Sequence, residues 1–282
     1  MILAVASGKG GTGKTTVATN LALMASRQGR SVAYLDCDVE APNGHLFLKP
    51  EITKTSGVEK IVAQVDNSLC KHCGRCSEIC QYGAVASLPN QTIVFSELCH
   101  GCGGCVLVCP TSAMKDSSRL IGDLRFGNVA SMQFLSGTLN VGEAMAPPII
   151  SAVKEKAPPA DLSIVDCPPG TSCPVIECLK GVDFAVLVTE PTPMGLHDLR
   201  LAVEVVVAME IPHGVLINRA DDDSSLIHDY CDSELIEVLM EIPDDRAVAE
   251  AYSNGIMVCD AVPATGQRML QLLDRIERGD LR

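Results

Sequence analysis

Short apolar runs alternate with amphipathic stretches along most of this chain. Residues 2–6 are an unbroken apolar run, the length of a strand buried on both faces. Over 15–28, Val17, Leu21, Met24 and Ala25 recur at helical spacing. Further strands are predicted at 31–35, 128–134, 162–165, 184–188, 214–217 and 238–241. Helices are predicted at 142–156, from about 196, at 245–253 and at 264–278, with Ala157-Pro158-Pro159 as a loop. Such alternation predicts an α/β fold, a mostly parallel sheet flanked by helices, with ligand at the C-terminal ends of the strands. From about 61 to 118 the alternation gives way to cysteine and glycine. The predicted organisation is therefore 1–60 and 119–282 as two segments of one domain, with 61–118 inserted between them.

A length of 282 residues suits one large domain and a small one, and a 47% hydrophobic content supports a sizeable core. The formal net charge of −13 argues against nucleic acid as the main partner, because phosphate contacts need clustered Lys and Arg. No basic segment precedes the first apolar run, and no stretch approaches the 18 apolar residues of a membrane span. A cytoplasmic location is expected, where the clustering among 14 cysteines points to metal more than to disulfides.

The stretch S-G-K-G-G-T-G-K-T-T at 7–16 fits G-x-x-x-x-G-K-[ST] through Gly8, Gly13, Lys14 and Thr15. It lies between a predicted strand and a predicted helix, as a phosphate cradle requires. Backbone N–H groups from Gly8, Lys9, Gly10, Gly11, Thr12, Gly13 and Thr16 are candidate anion donors. Lys14 would reach the β- and γ-phosphates, and the Thr15 hydroxyl would bind Mg²⁺. Two more strands end in carboxylates: 31–35 runs into Asp36-Cys37-Asp38, and 162–165 into Asp166-Cys167-Pro168-Pro169-Gly170.

Lys9 makes the loop more specific. G-K-G-G-T-G-K-T-T resembles the deviant phosphate loop of the MinD, ParA and nitrogenase iron-protein group of ATPases. In that group this lysine reaches across a dimer interface to the partner's nucleotide, so the resemblance implies a homodimer or a dimer with a paralogous ATPase. It also implies that Asp38 positions the attacking water, that Asp36 and Asp166 support Mg²⁺, and that D-C-P-P-G is a second switch, Asp166 with Pro168, Pro169 and Gly170, in which the glycine backbone senses the γ-phosphate. Catalysis would then rest on Lys9, Lys14 and Asp38. Asn218 is the expected base contact, beside Arg219. N-R-A-D at 218–221 partly matches a guanine reader, with Arg219 in place of its lysine, whereas the resemblance as a whole points to ATP.

The inserted segment carries C-x2-C-x2-C-x3-C twice, as Cys70, Cys73, Cys76 and Cys80, then Cys99, Cys102, Cys105 and Cys109 before Pro110. This resembles bacterial two-cluster ferredoxins, in which the fourth ligand of each 4Fe–4S cluster comes from the other run. The resemblance implies an α+β ferredoxin-like insert with one cluster on Cys70, Cys73, Cys76 and Cys109, and a second on Cys99, Cys102, Cys105 and Cys80. Zinc sites usually pair separated C-x2-C units and do not need a repeated three-cysteine turn. Cys173 and Cys178 are spaced C-x4-C and are weighed as a further metal site against buried small hydrophobes. The final helix has an ordinary sheet-packing face, so membrane association is not expected.

The expected function is a Mg-ATP-hydrolysing ATPase with two 4Fe–4S clusters, whose nucleotide-gated dimer feeds electrons to an unidentified redox or metal-centre partner. The alternatives are a metal–sulfur assembly or carrier factor and a MinD-like spatial-organisation ATPase with structural or sensory clusters.

Overall fold

The computed structural model describes residues 1–221 and 224–281. In chain order its elements are β1 (Ile2–Ala6), α1 (Lys14–Arg27), β2 (Val32–Asp36), α2 (Gly44–Leu48), β3 (Glu51–Val65), α3 (Arg75–Ile79), β4 (Val85–Leu88), β5 (Gln91–Val94), α4 (Gly104–Leu107), β6 (Met114–Val129) and β7 (Met132–Leu139). There follow α5 (Pro147–Glu155), β8 (Leu162–Asp166), α6 (Cys173–Leu179), β9 (Phe184–Thr189), α7 (Pro193–Ala208), β10 (His213–Ala220), α8 (Ser225–Glu234), β11 (Val238–Pro243), α9 (Arg246–Ser253), α10 (Val258–Ala261) and α11 (Pro263–Arg278). Among the described residues, nine strands form one sheet in the order β11-β10-β9-β1-β8-β2-β7-β6-β3. The strands from β11 to β7 run parallel, and β6 and β3 close that edge antiparallel.

Helices cover both faces of the parallel part, which is why β2, β8 and β9 are buried along their whole length. β1 divides its side chains by the two-residue strand period. Ala4 and Ala6 join a core layer with α5, α6 and α7; Leu3 and Val5 join the opposite layer with α1 and α11. Met269, Leu272, Leu273 and Ile276 of α11 are buried in that second layer, so the last helix packs on the sheet as its pattern predicts. No helix among the described residues is long and apolar enough to cross a membrane.

The antiparallel edge differs from the sequence expectation. β3 and β6 pair from Glu51 and Asn128 out to Val65 and Met114, and the expected boundaries at 60 and 118 fall inside this ladder. At its far end, α3, β4, β5 and α4 gather around a separate small core of Val62, Ala63, Cys76, Ala84, Val85, Cys99, Cys105 and Met114. The single strand expected at 128–134 is instead divided: its first residues end β6, residues 130 and 131 turn with Ala130 at φ 51°, and its last residues open β7. The helix expected from 142 starts at Pro147, because consecutive prolines lack N–H donors and fit only a first turn.

Candidate functional site

The loop between β1 and α1 is shaped by close backbone approach. A Cβ on Gly8 would lie 1.9 Å from the Asp198 carbonyl oxygen on α7, so only glycine fits there. Gly13 has φ 94°, and a Cβ on it would meet the Asn218 amide at 2.3 Å. Asn218 Nδ2 donates to the Thr12 carbonyl at 2.8 Å, which ties the end of β10 to the loop. Lys14 opens α1 and is buried, with Nζ 3.5 Å from the Lys9 carbonyl. Burial lowers its pKa, against the opposing pull of Asp166 and Asp38.

Beneath the loop, Asp36 and Asp166 face each other in register at the ends of β2 and β8, both fully buried. Gly44 N–H donates to Asp36 Oδ2 at 3.0 Å, and the Tyr34 hydroxyl donates to Asp166 Oδ2 at 2.8 Å. Among the described residues, the other oxygen of each carboxylate, with Thr12 Oγ1 and Asn43 Oδ1, is buried and has no hydrogen-bond partner. Burial, and then the Asp166 charge, hold the Asp36 pKa well above the usual carboxylate range. Burial lifts Asp166 to about 6 against the opposing hydrogen bonds from Thr15 and Tyr34. Burial also raises Asp38, with Lys14 opposing. The two orphaned carboxylate oxygens are hard donors of the kind that suit Mg²⁺.

The sign of the resulting pH dependence follows from Asp166. Its native pKa is above the unfolded value, so between about 4 and 6 the native state binds more protons than the unfolded one. The nucleotide-free fold is therefore expected to gain stability as pH falls through about 6. Thermal melts at pH 7 and pH 5 should show a larger upward shift in Tm for the wild type than for Asp166→Asn.

A cavity of about 370 Å³ opens over the loop. Gly10, Gly11, Gly13, Lys14, Thr15, Thr16, Asp38, Pro169, Asn218 and Arg219 line it, so most of the sequence-predicted nucleotide residues converge on one space. Asn43 and Tyr252 also line it; Asn43 closes the segment that starts at Asp36, and Tyr252 is a residue the sequence assigned no role. Gly170, at φ 97°, donates its N–H to the Ser7 carbonyl at 3.0 Å and joins the segment after β8 to the loop. Pro168 is buried behind it. Lys9 is turned away: its Nζ lies 3.4 Å from Glu190 Oε2, while Arg219 donates to Glu190 Oε1 at 2.7 Å. Nothing in the sequence marks Glu190 for this pairing.

Two further cavities lie among residues 63–116. One is lined by Cys70, Cys73, Cys76 and Cys109, the other by Cys80, Cys99, Cys102 and Cys105. Each cavity thus takes three cysteines of one run and the last of the other. Among the described residues no three His, Cys, Asp or Glu side chains converge as ligands of one ion would. A cubane cluster places each thiolate on a different iron, so its ligands surround a space and do not meet at a point. Backbone N–H groups already point at sulfur: His72 to Cys70 at 3.4 Å, Ala84 to Cys80 at 3.3 Å and Ala63 to Cys99 at 3.4 Å. Burial pushes the Cys109 thiol up, but hydrogen bonds from Met114, Thr111 and Ala113 outweigh it and bring it down to about 7. Gly74 and Gly103, at φ 81° and 70°, turn the chain into α3 and α4 beside the cysteines.

Cys178 is fully buried against Cys37 and Cys167, whereas Cys173 is exposed at the start of α6. The structure does not bring Cys173 and Cys178 together as a pair, and Cys178 is one of the small buried hydrophobes.

A family model described as the CobQ/CobB/MinD/ParA nucleotide binding domain matches residues 3–258. An uncharacterized protein of Methanocaldococcus jannaschii is 31% identical over 279 residues, covering 98% of this chain and 96% of its own. A Pyrococcus abyssi protein named iron-sulfur cluster carrier protein is 25% identical over 275 residues, covering 91% of this chain and 78% of its own. Among solved structures, the septum site-determining protein MinD of Pyrococcus horikoshii, complexed with Mg-ADP, has a TM-score of 0.60 at 19% identity, covering 98% of this chain and 95% of that one. The cell division ATPase MinD of Pyrococcus furiosus has a TM-score of 0.58 at 20% identity, covering 98% of both chains. These two share the fold.

Proposed function

The chain belongs to the CobQ/CobB/MinD/ParA nucleotide-binding family, and on that premise we propose that it hydrolyses Mg-ATP and couples the cycle to two 4Fe–4S clusters that pass electrons to a partner protein. One observation carries the reading. The same chain builds a phosphate loop over orphaned carboxylate oxygens and divides eight cysteines, four and four, between two cavities. The division into an ATPase body (1–60 and 119–282) and a cluster module (61–118) belongs to the same proposal. The test is iron analysis and ATP hydrolysis on one anaerobically purified sample; hydrolysis without iron, or iron without hydrolysis, overturns the coupling.

Positioning and electrostatics do the chemistry of phosphoryl transfer. Lys14 places its charge against the β- and γ-phosphates. Thr15, with Asp36 and Asp166, would hold Mg²⁺, which neutralises phosphate charge when bound. Asp38 accepts a hydrogen bond from the attacking water and aims it. Pro169, Gly170 and the loop N–H groups respond to the γ-phosphate, and Asn218 with Arg219 borders the base. Cysteine thiolates from both runs would hold the clusters, which supply one-electron storage.

A carrier role is the second reading, favoured by the printed name of the Pyrococcus abyssi relative. The enclosing cavities weigh against release of the clusters themselves, because both cysteine runs would have to open at once.

Lys9 serves the dimer in this proposal, and its pairing with Glu190 must open before it can reach a second subunit. Lys9→Ala is expected to keep nucleotide binding and to lose ATP-dependent dimerisation. Glu190→Gln is expected to strengthen it by roughly fivefold, the value of one ion pair near the surface, about 1 kcal/mol. Light scattering with a non-hydrolysable ATP analogue checks both. Wild-type self-association in Lys9→Ala would remove this lysine from the interface.

A further inference from the structure

The two cysteine-lined cavities are not electrostatic equals. In the first, Thr92 on β5 is only 1% exposed, and its hydroxyl lies 3.3 Å from Cys70 Sγ. Asn67 holds Thr92 in place by two bonds: the Thr92 N–H donates to Asn67 Oδ1 at 3.0 Å, and Asn67 Nδ2 donates to the Thr92 carbonyl at 3.2 Å. His72 Nδ1 and Ser87 Oγ also lie near the hydroxyl, at 3.4 and 3.5 Å. An iron-bound thiolate has no proton, so Thr92 must be the donor in its contact with Cys70, and the charged sulfur is the strongest acceptor in reach. A second hydroxyl, Thr111, lies 3.8 Å from Cys109 Sγ. Lys71 and Arg75 also border this cavity, but they are exposed and screened by solvent.

The second cavity is walled by Ala63, Ile79, Ala84 and Val85 and roofed by the Tyr82 ring stacked on His100 at 3.6 Å. Among the described residues no hydroxyl bonds a sulfur of this set, and the one carboxylate in its lining, Asp116, is exposed and screened by solvent. Hydrogen bonds to sulfur stabilise the more negative, reduced cluster and raise its potential. Apolar walls do the opposite.

Resting on the cluster reading above, we propose that the two clusters have unequal midpoint potentials. The one held by Cys70, Cys73, Cys76 and Cys109 is the higher, and Thr92 is the positioning residue that sets much of the gap. Electrons then run one way through the module. A low-potential one-electron donor protein reduces the second cluster, and that electron passes to the first; one centre is oxidised as the other is reduced, and no bond or proton changes place.

The experiment is an EPR-monitored potentiometric titration of the full-length, iron-loaded protein. Two resolved midpoints are expected. Thr92→Val should shift only the upper one, to more negative potential, while Thr92→Ser, which keeps the hydroxyl, should leave it near the wild-type value. A protein that takes up no cubane cluster overturns the reading and the inference together. A loaded protein whose midpoints coincide, or in which Thr92→Val moves the lower midpoint or neither, overturns the inference alone.

Discussion

Lys14→Ala should weaken nucleotide binding by at least roughly tenfold. Lys14 is 6% exposed at the first turn of α1, and its ammonium has already lost most of its water. Burial lowers its pKa, while the nearby Asp166 and Asp38 favour the charged form. A desolvated cation in a fixed place makes a strong charge-assisted contact with phosphate, because no further solvent must be removed when the anion arrives. One such hydrogen bond is worth about 1.5–3 kcal/mol. Loss of the lysine therefore weakens affinity by at least roughly 10- to 100-fold, and hydrolysis should fall to background. Lys14→Met keeps the aliphatic stem in its buried slot and separates loss of charge from loss of packing. Calorimetric titration with Mg-ATP, on variants whose thermal melts establish folding, decides it. Wild-type affinity in Lys14→Met would mean that the cavity over the loop is not the nucleotide site.

Much of this site was legible in the sequence because its parts are local. The phosphate loop is a contiguous motif between a strand and a helix. The paired aspartates end two apolar runs, and those runs are unbroken because helices bury β2 and β8 on both faces. The cysteine spacing carries its own geometry, since short turns fix where three thiols can point. The long β3 and β6 strands were missed for a physical reason. Most of β3 is exposed at the sheet edge, with Thr53, Lys54, Thr55 and Glu59 on it, so no apolar run or clean alternation marks it. Residues that act only through tertiary contact were equally silent. Tyr34 sits in a fully buried strand and resembles core, yet its hydroxyl holds Asp166. Glu190 meets Lys9 and Arg219 only once β9 and β10 lie side by side, and Thr92 meets Cys70 only across the module.

Anaerobically purified wild type should carry about eight irons per chain, and Cys80→Ser should remove up to about half of them, from the cluster its sequence neighbours do not bind. Cys80 follows Cys70, Cys73 and Cys76 in one run, so a simple reading of the chain would give it to their site. The structure instead places Cys80 in the cavity of Cys99, Cys102 and Cys105, and Cys109 with the first three. Chain direction explains the exchange. After α3, Cys80 leaves the helical turn in extended conformation and enters the Tyr82–Ala84 turn, where the Ala84 N–H meets its sulfur at 3.3 Å. Cys109 likewise leaves α4 toward Met114, whose strand carries it back beside the first cavity. Cross-strapping also gives the module a stake in both sites. Its small core includes Cys76, Cys99 and Cys105 among few apolar side chains, so the clusters would supply much of its cohesion. Cys80→Ser and Cys109→Ser should then give complementary losses, each sparing the EPR signal the other removes. Iron analysis with EPR of the two variants is the measurement. Stoichiometric zinc without iron in the wild type would sink the cluster reading, and loss of the Cys70 cluster in Cys80→Ser would sink the crossed assignment.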